Sequence, residues 1–209
     1  MHSQRTIEMF GYEYVDHLGS GKFGVASVVR KDGEDFTAKT VNPELTEKPE
    51  IDEFGIYFSA DEKRRHIEHE RDVLGRINGI GGTPRFQGYF FEKGSRFRKW
   101  WNHRKGLDFL PSDHALLLKQ YIEGKAMEEW ELVEETSQQI ALEETVRAIH
   151  SAGVTGLDIH HENIIISNSE QPFLVDFGFS YLWKGTGSLL FARSARNDLK
   201  RMEEMMYPV

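Results

Sequence analysis

Asp158, Asn163 and Asp176 stand in the runs LeuAspIleHisHisGluAsn and ValAspPheGly: a carboxylate, an amide five residues on, and a second carboxylate thirteen beyond that. This set suits phosphoryl transfer from a nucleotide. One acid orients the attacking hydroxyl, while the amide and the other acid hold magnesium on the triphosphate. Taken singly, Asp158 could be a turn residue and Asn163 a cap. Asp176 resists that reading, because it ends an apolar stretch, and a carboxylate at the end of a buried strand wants a cation or a partner.

Gly19, Gly21 and Gly24 form GlyXxxGlyXxxXxxGly upstream. Missing Cβ atoms let backbone N–H groups approach phosphate oxygens. Such a motif alone is weak evidence. A dinucleotide-binding reading needs the last glycine to open a helix, whereas ValAlaSerValValArg is β-rich, so that reading fails. Lys39 follows Gly24 by 15 residues in a strand pattern. It is either an exposed edge lysine or a point charge for the α- and β-phosphates, held by a carboxylate. Glu70 offers that carboxylate, although as one of several acids on a helix it could equally be a solvated residue.

The elements that must position these groups are legible in outline. Residues 12–18, 25–30 and 35–41 read as three strands, the first two around the glycine-rich turn. A polar insertion covers 42–58. Ser59 and Glu62 make a capping box opening a helix, along which Ile67, Leu74 and Ile77 form an apolar stripe; GlyIleGlyGlyThrPro (79–84) ends it. Residues 85–91 and 115–122 read as further strands, separated by a basic, aromatic insertion at 92–114. GluGlyLys (123–125) reads as a link, 126–152 as helical with Ile140, Val146 and Ile149 on one side, and 164–167 with 172–175 as a hairpin. No internal repeat or low-complexity tract is evident.

Composition sets outer bounds. The 209 residues suffice for a single domain of two lobes. Without cysteine there is no disulfide framework or thiolate metal site. A net charge of −8 argues against general nucleic-acid binding. No apolar run reaches the ~20 residues needed to span a bilayer, and the N-terminal stretch lacks the apolar core of a secretory signal. A soluble acidic domain is expected, cytoplasmic by default.

From about Tyr12 to Met206 these motifs, in this order, resemble the eukaryotic-type protein kinase superfamily. The resemblance implies an α+β, two-lobed protein kinase-like fold: an N-lobe to about residue 121, a hinge at 120–125, and a truncated helical C-lobe over about 126–209. It implies ATP and Mg2+ as cofactors. Gly19, Ser20, Gly21, Lys22 and Gly24 would cover the phosphates, and Lys39 would pair with Glu70. Asp158 would be the catalytic base, with Asn163 and Asp176 as metal ligands. Ala26, Thr37 and Ile165 would contribute to the nucleotide site. Gln120 to Ile122 would offer backbone hydrogen bonds to adenine, with Lys119 at the gatekeeper position. GlyThr (185–186) resembles the substrate-side end of the activation segment, and Asp198 the helix acid that supports the catalytic loop.

Departures from the pattern are informative. HisArgAsp of the family is GlyLeuAsp at 156–158, so no arginine stands ready to pair with a phosphorylated activation loop; activity without loop phosphorylation is expected. His160 takes the place of the lysine that touches the γ-phosphate, and AspXxxHisXxxXxxAsn is also similar to aminoglycoside and choline kinases. The family's ProGlu is replaced near Ala192 and Arg193, and few residues follow Asp198. A serine/threonine protein kinase is therefore expected; small-molecule phosphotransferase and nucleotide-binding scaffold are the alternatives. The small size also resembles kinases that bacteria inject by type III secretion, among them the HopBF family. That resemblance implies a host protein substrate such as the chaperone heat-shock protein 90. Lys93, Arg96, Arg98, Lys99, Arg104 and Lys105 surround Phe97, Trp100 and Trp101, which suits either a solvated loop or a docking patch for an acidic protein surface.

Overall fold

Residues 2–41, 60–94, 113–127 and 137–206 are described by the computed structural model. The capping box at Ser59, the 42–58 insertion and most of the 92–114 insertion, with its docking patch, lie outside the described residues. The chain divides into two compact units, Met1–Arg71 with Gln87–Tyr121, and Asp72–Phe86 with Ile122–Val209.

Strand patterns rich in β-branched residues build the first unit. Strands β1 (Glu13–Ser20), β2 (Gly24–Lys31), β3 (Glu34–Val41), β4 (Phe86–Glu92) and β5 (His114–Gln120) form a sheet in the order β1-β2-β3-β5-β4. Pairing of β2, β3 and β5 is antiparallel and sets Ala26 opposite Lys39, Val28 opposite Thr37, and Thr37 opposite Lys119. Since side chains alternate between faces, Ala26, Thr37, Lys39 and Lys119 share one face. The other face carries Val29, Ala38, Leu116 and Leu118, packed with Ile7 from helix α1 (His2–Met9). Burying each such aliphatic side chain contributes roughly 1.5–3 kcal/mol. The buried Thr6 hydroxyl meets His114 Nδ1 at 2.9 Å, tying α1 to β5. Helix α2 (Ala60–Ile77) buries Ile67, Val73, Leu74 and Ile77, the stripe read from the sequence together with Val73.

Helix α3 (Ser137–Ser151), helix α4 (Leu189–Met206) and five short strands make the second unit. Strands β6 (Gly124–Ala126), β8 (Ile164–Ser167) and β9 (Pro172–Leu174) form one sheet, with the expected hairpin closing β8 to β9. Strands β7 (Val154–Thr155) and β10 (Tyr181–Leu182) form another. Two expectations are corrected. Residues 124–126 are a strand paired with β8 and not a plain link running into a helix, because the isoleucine-rich β8 supplies a partner ladder. Ile140 is 47% exposed; the buried stripe of α3 is Leu142, Thr145, Val146 and Ile149 at helical spacing, and Ile140 falls on another side.

Candidate active site

In the first unit, β1 and β2 run together up to the glycine turn, Gly19 facing Ala26 and Ser20 facing Val25. The Gly21 N–H donates to the Gly24 carbonyl at 2.8 Å and closes the turn. Gly24 is required by space: a Cβ there would lie 2.9 Å from the Thr40 carbonyl oxygen and 3.1 Å from Lys39 Cγ. The third glycine of the motif thus lets the Lys39 stem pass beside the turn. Phe23, buried at the tip, stacks on His66 of α2 with centroids 3.8 Å apart, while Lys22 is exposed.

Lys39 Nζ donates to Glu70 Oε2 at 2.6 Å, so the expected pair is formed. Glu70 is 0% exposed and Lys39 12%, which removes the solvated-face reading of both. The second carboxylate oxygen is engaged too: Lys119 Nζ donates to Glu70 Oε1 at 2.9 Å. A buried carboxylate is stable as an anion only when its lone pairs are met in this way. Gln120 pairs with Phe36 at the end of β5, and the first unit gives way to the second after Tyr121, with Ile122 next.

In the second unit, the loop after β7 carries Asp158. Asn163 closes a single 3-10 turn (His161–Asn163). Its side-chain NH2 donates to the Asp158 carbonyl at 2.9 Å and lies 3.4 Å from Asp158 Oδ2. The amide nitrogen is therefore committed to Asp158, which leaves the oxygen as the end that can ligate. The Val175 N–H donates to the Asn163 carbonyl at 3.0 Å, fixing the residue before Asp176 to the same turn. Asp176 Oδ1 accepts the Gly178 N–H at 2.9 Å, which orients that carboxylate. Two short bonds thus join Asp158, Asn163 and the residue before Asp176, and the Gly178 N–H orients the Asp176 carboxylate. Ile165 lies in β8, opposite Ala126 and Phe173. His160 Nε2 stands 3.5 Å from Asp158 Oδ2, both about two-fifths exposed.

Buried Asp198 of α4 holds this loop from beneath. Its carboxylate accepts the Gly156 N–H at 2.9 Å, the Leu157 N–H at 3.1 Å and His150 Nε2–H at 2.9 Å. His150 was missed in the sequence; it ends α3 without any local pattern, and only the fold brings it to Asp198. Gly156 has φ +71, and a Cβ on it would lie 2.3 Å from the Tyr181 ring. A side chain at the histidine position of the family pattern has no room here. After Asp176 the chain is tied down by β10 on β7, by Trp183 N–H to the Gly153 carbonyl at 2.9 Å, and by Trp183 Nε1–H to Thr155 Oγ1 at 2.7 Å. GlyThr (185–186) is exposed.

No family model matches the chain. Serine/threonine-protein kinase cds1 of Schizosaccharomyces pombe is 25% identical over 190 residues, which cover 86% of this chain and 35% of that protein. The similarity is to a protein kinase. The chain spans about a third of the length of this curated relative. Its mixed helix and antiparallel-sheet architecture is compatible with a kinase-like fold. Among the described residues no helix is long and apolar enough to cross a membrane.

In the second unit the residues present fit magnesium. Asn163 and Asp176 offer hard oxygen donors of the kind magnesium takes, the ion drawing its remaining ligands from phosphate and water. Among the described residues no group of three or more His, Cys, Asp or Glu side chains gathers as a metal site.

Proposed function

We propose that this chain is an ATP- and magnesium-dependent protein kinase acting on serine or threonine hydroxyls, and that it works without phosphorylation of the segment after Asp176. The single observation that carries the reading is the bonded set of Asp158, Asn163 and Val175–Asp176, an arrangement whose groups have no comparable use in a purely structural turn. The buried Lys39–Glu70 pair behind the glycine turn supports it independently.

In this reading Asp158 accepts the proton of the substrate hydroxyl as its oxygen attacks the γ-phosphorus, and the bond from that phosphorus to the β,γ-bridging oxygen breaks. Lys39 supplies positive charge to the α- and β-phosphates, and the glycine turn offers backbone N–H groups. Magnesium, when bound, would neutralise the charge that develops on the leaving diphosphate, and Asn163 and Asp176 would hold it. Ser20, Lys22, Ala26, Thr37, Gln120, Ile122 and Ile165 would complete the nucleotide contacts.

Independence from phosphorylation is supported by the uncharged ties of Tyr181 to Trp183 and by Leu157 in place of the family's arginine. The name of the relative supports a serine/threonine acceptor. The chaperone heat-shock protein 90 is a candidate substrate through the effector resemblance alone.

Incubation of a eukaryotic lysate with γ-labelled ATP and wild type or Asp158→Ala tests the reading. Label on serine or threonine of proteins, with wild type only, supports it. Label in the small-molecule fraction would establish the aminoglycoside/choline kinase alternative, and equal inactivity of both proteins the scaffold alternative. Purified heat-shock protein 90 in the same assay tests the candidate substrate.

A further inference from the structure

Phe23 links the glycine turn to helix α2. Gly21 and Lys22 beside it are exposed, whereas Phe23 is 7% exposed. Its ring lies nearly flat on the His66 imidazole, with centroids 3.8 Å apart and planes 16° from parallel. A ring buried in this way fastens the tip of a turn to the helix it meets. His66 and Glu70 stand one turn apart on α2, so they share a face of that helix. Glu70 holds Lys39 at 2.6 Å, and Gly24, next to Phe23, packs on the stem of the same lysine. The contacts therefore close a circuit, from the turn tip through His66, α2, Glu70 and Lys39 back to Gly24.

We infer that His66 is a positioning residue for triphosphate binding: stacked on Phe23, it holds the glycine turn in register with Lys39. The inference rests on the kinase reading above, in which backbone N–H groups of the turn and the Lys39 ammonium must meet one triphosphate. Glycine loses more conformational freedom on ordering than any other residue. With the stack in place that loss is met within the fold, and ligand binding does not bear it. Without the stack, phosphate binding would have to order the tip as well. His66 acts through the ring of Phe23, so an aromatic side chain suffices and an imidazole nitrogen is not required.

Calorimetric titration of wild type, His66→Ala and His66→Phe with ATP and with inorganic tripolyphosphate, which has no base or sugar, tests this. His66→Ala should weaken both ligands by the same factor, about three- to tenfold for the loss of one aromatic pair. His66→Phe should restore most of the affinity. Phe23→Ala should lose at least as much, and adding His66→Ala to it should cause no further loss. In turnover, KM for ATP should rise by the same factor with a much smaller change in kcat. Unchanged or tighter binding by His66→Ala, a loss that His66→Phe does not restore, or a further loss on adding His66→Ala to Phe23→Ala would each overturn the inference. Loss of ATP affinity alone, with tripolyphosphate unchanged, would overturn it too, by assigning His66 to the base. Failure of wild type to bind either ligand would defeat the kinase reading itself and this inference with it. Thermal melts accompany each titration; should His66→Ala not fold, His66→Gln, which removes the ring and keeps a longer side chain, is read by the same outcomes.

Discussion

Gly156 shows how one absent atom can shape the loop that carries Asp158. Its φ of +71 and the Tyr181 ring, 2.3 Å from where a Cβ would stand, both exclude a side chain. Gly156→Ala should therefore cost about 1–3 kcal/mol, read as a fall in denaturation midpoint. Adding Tyr181→Ala should recover only part of that, since the backbone strain persists. At the other buried centre, Glu70→Ala removes the carboxylate that both Lys39 and Lys119 engage. A loss of about 3–5 kcal/mol is expected, and Lys119→Met in the same chain should return part of it. Asp158, Asn163, Asp176 and Lys39 could be singled out because each sits in a spaced motif, and Glu70 only as one of several acids on its helix. His150 was not, because its partner Asp198 is distant in sequence and a histidine at a helix end has no signature of its own. Engagement of Glu70 by Lys119 was equally hidden: a lysine closing the run AlaLeuLeuLeuLys gives no sign of which carboxylate will reach it.

Strand and helix patterns carried most of the element-level information. The β2–β3 hairpin follows its sequence pattern closely, and its end is clasped by Arg30 Nε–H to Asp35 Oδ1 at 2.7 Å, between directly opposed residues. The Arg30 hydrogen bond holds the Asp35 carboxyl below its ordinary value. A depressed carboxylate stabilises the fold above its unfolded pKa and ceases to do so as pH falls through the folded one. Asp35→Asn should thus lower the melting temperature slightly at neutral pH, and the difference should vanish in acid. Strand β6 escaped notice because GluGlyLysAla has no β signature, and its ladder with β8 is a tertiary effect. Helix α1 is short and mostly polar, and its single deeply buried aliphatic, Ile7, gives too little periodicity to announce it. The segment after Asp176 makes a functional prediction. Because Trp183 and β10 fasten it without a phosphate, phosphatase treatment of the active protein should leave its rate unchanged. Abolished turnover would refute the proposed independence.

At the scale of the whole chain, the two compact units divide the candidate residues: the glycine turn, Lys39, Glu70 and Lys119 belong to one, and Asp158, Asn163, Asp176 and Asp198 to the other. Partner recognition is a separate matter, for which the basic and aromatic 92–114 stretch is the candidate in the sequence. If it docks a protein substrate, deletion of 95–105 should spare ATP hydrolysis and reduce phosphorylation of that substrate; equal loss of both would assign it a structural role. The central claim is transfer of the γ-phosphoryl group to protein hydroxyls by the Asp158 site. Its most direct measurement is phosphosite mass spectrometry of a eukaryotic lysate incubated with ATP and wild type, Asp158→Ala or Asp176→Ala. Serine or threonine phosphosites that appear with wild type and fall by about 10²–10⁴-fold in initial rate with Asp158→Ala are the predicted result. Phosphosites of equal abundance with all three proteins, or absent from all three, would contradict it.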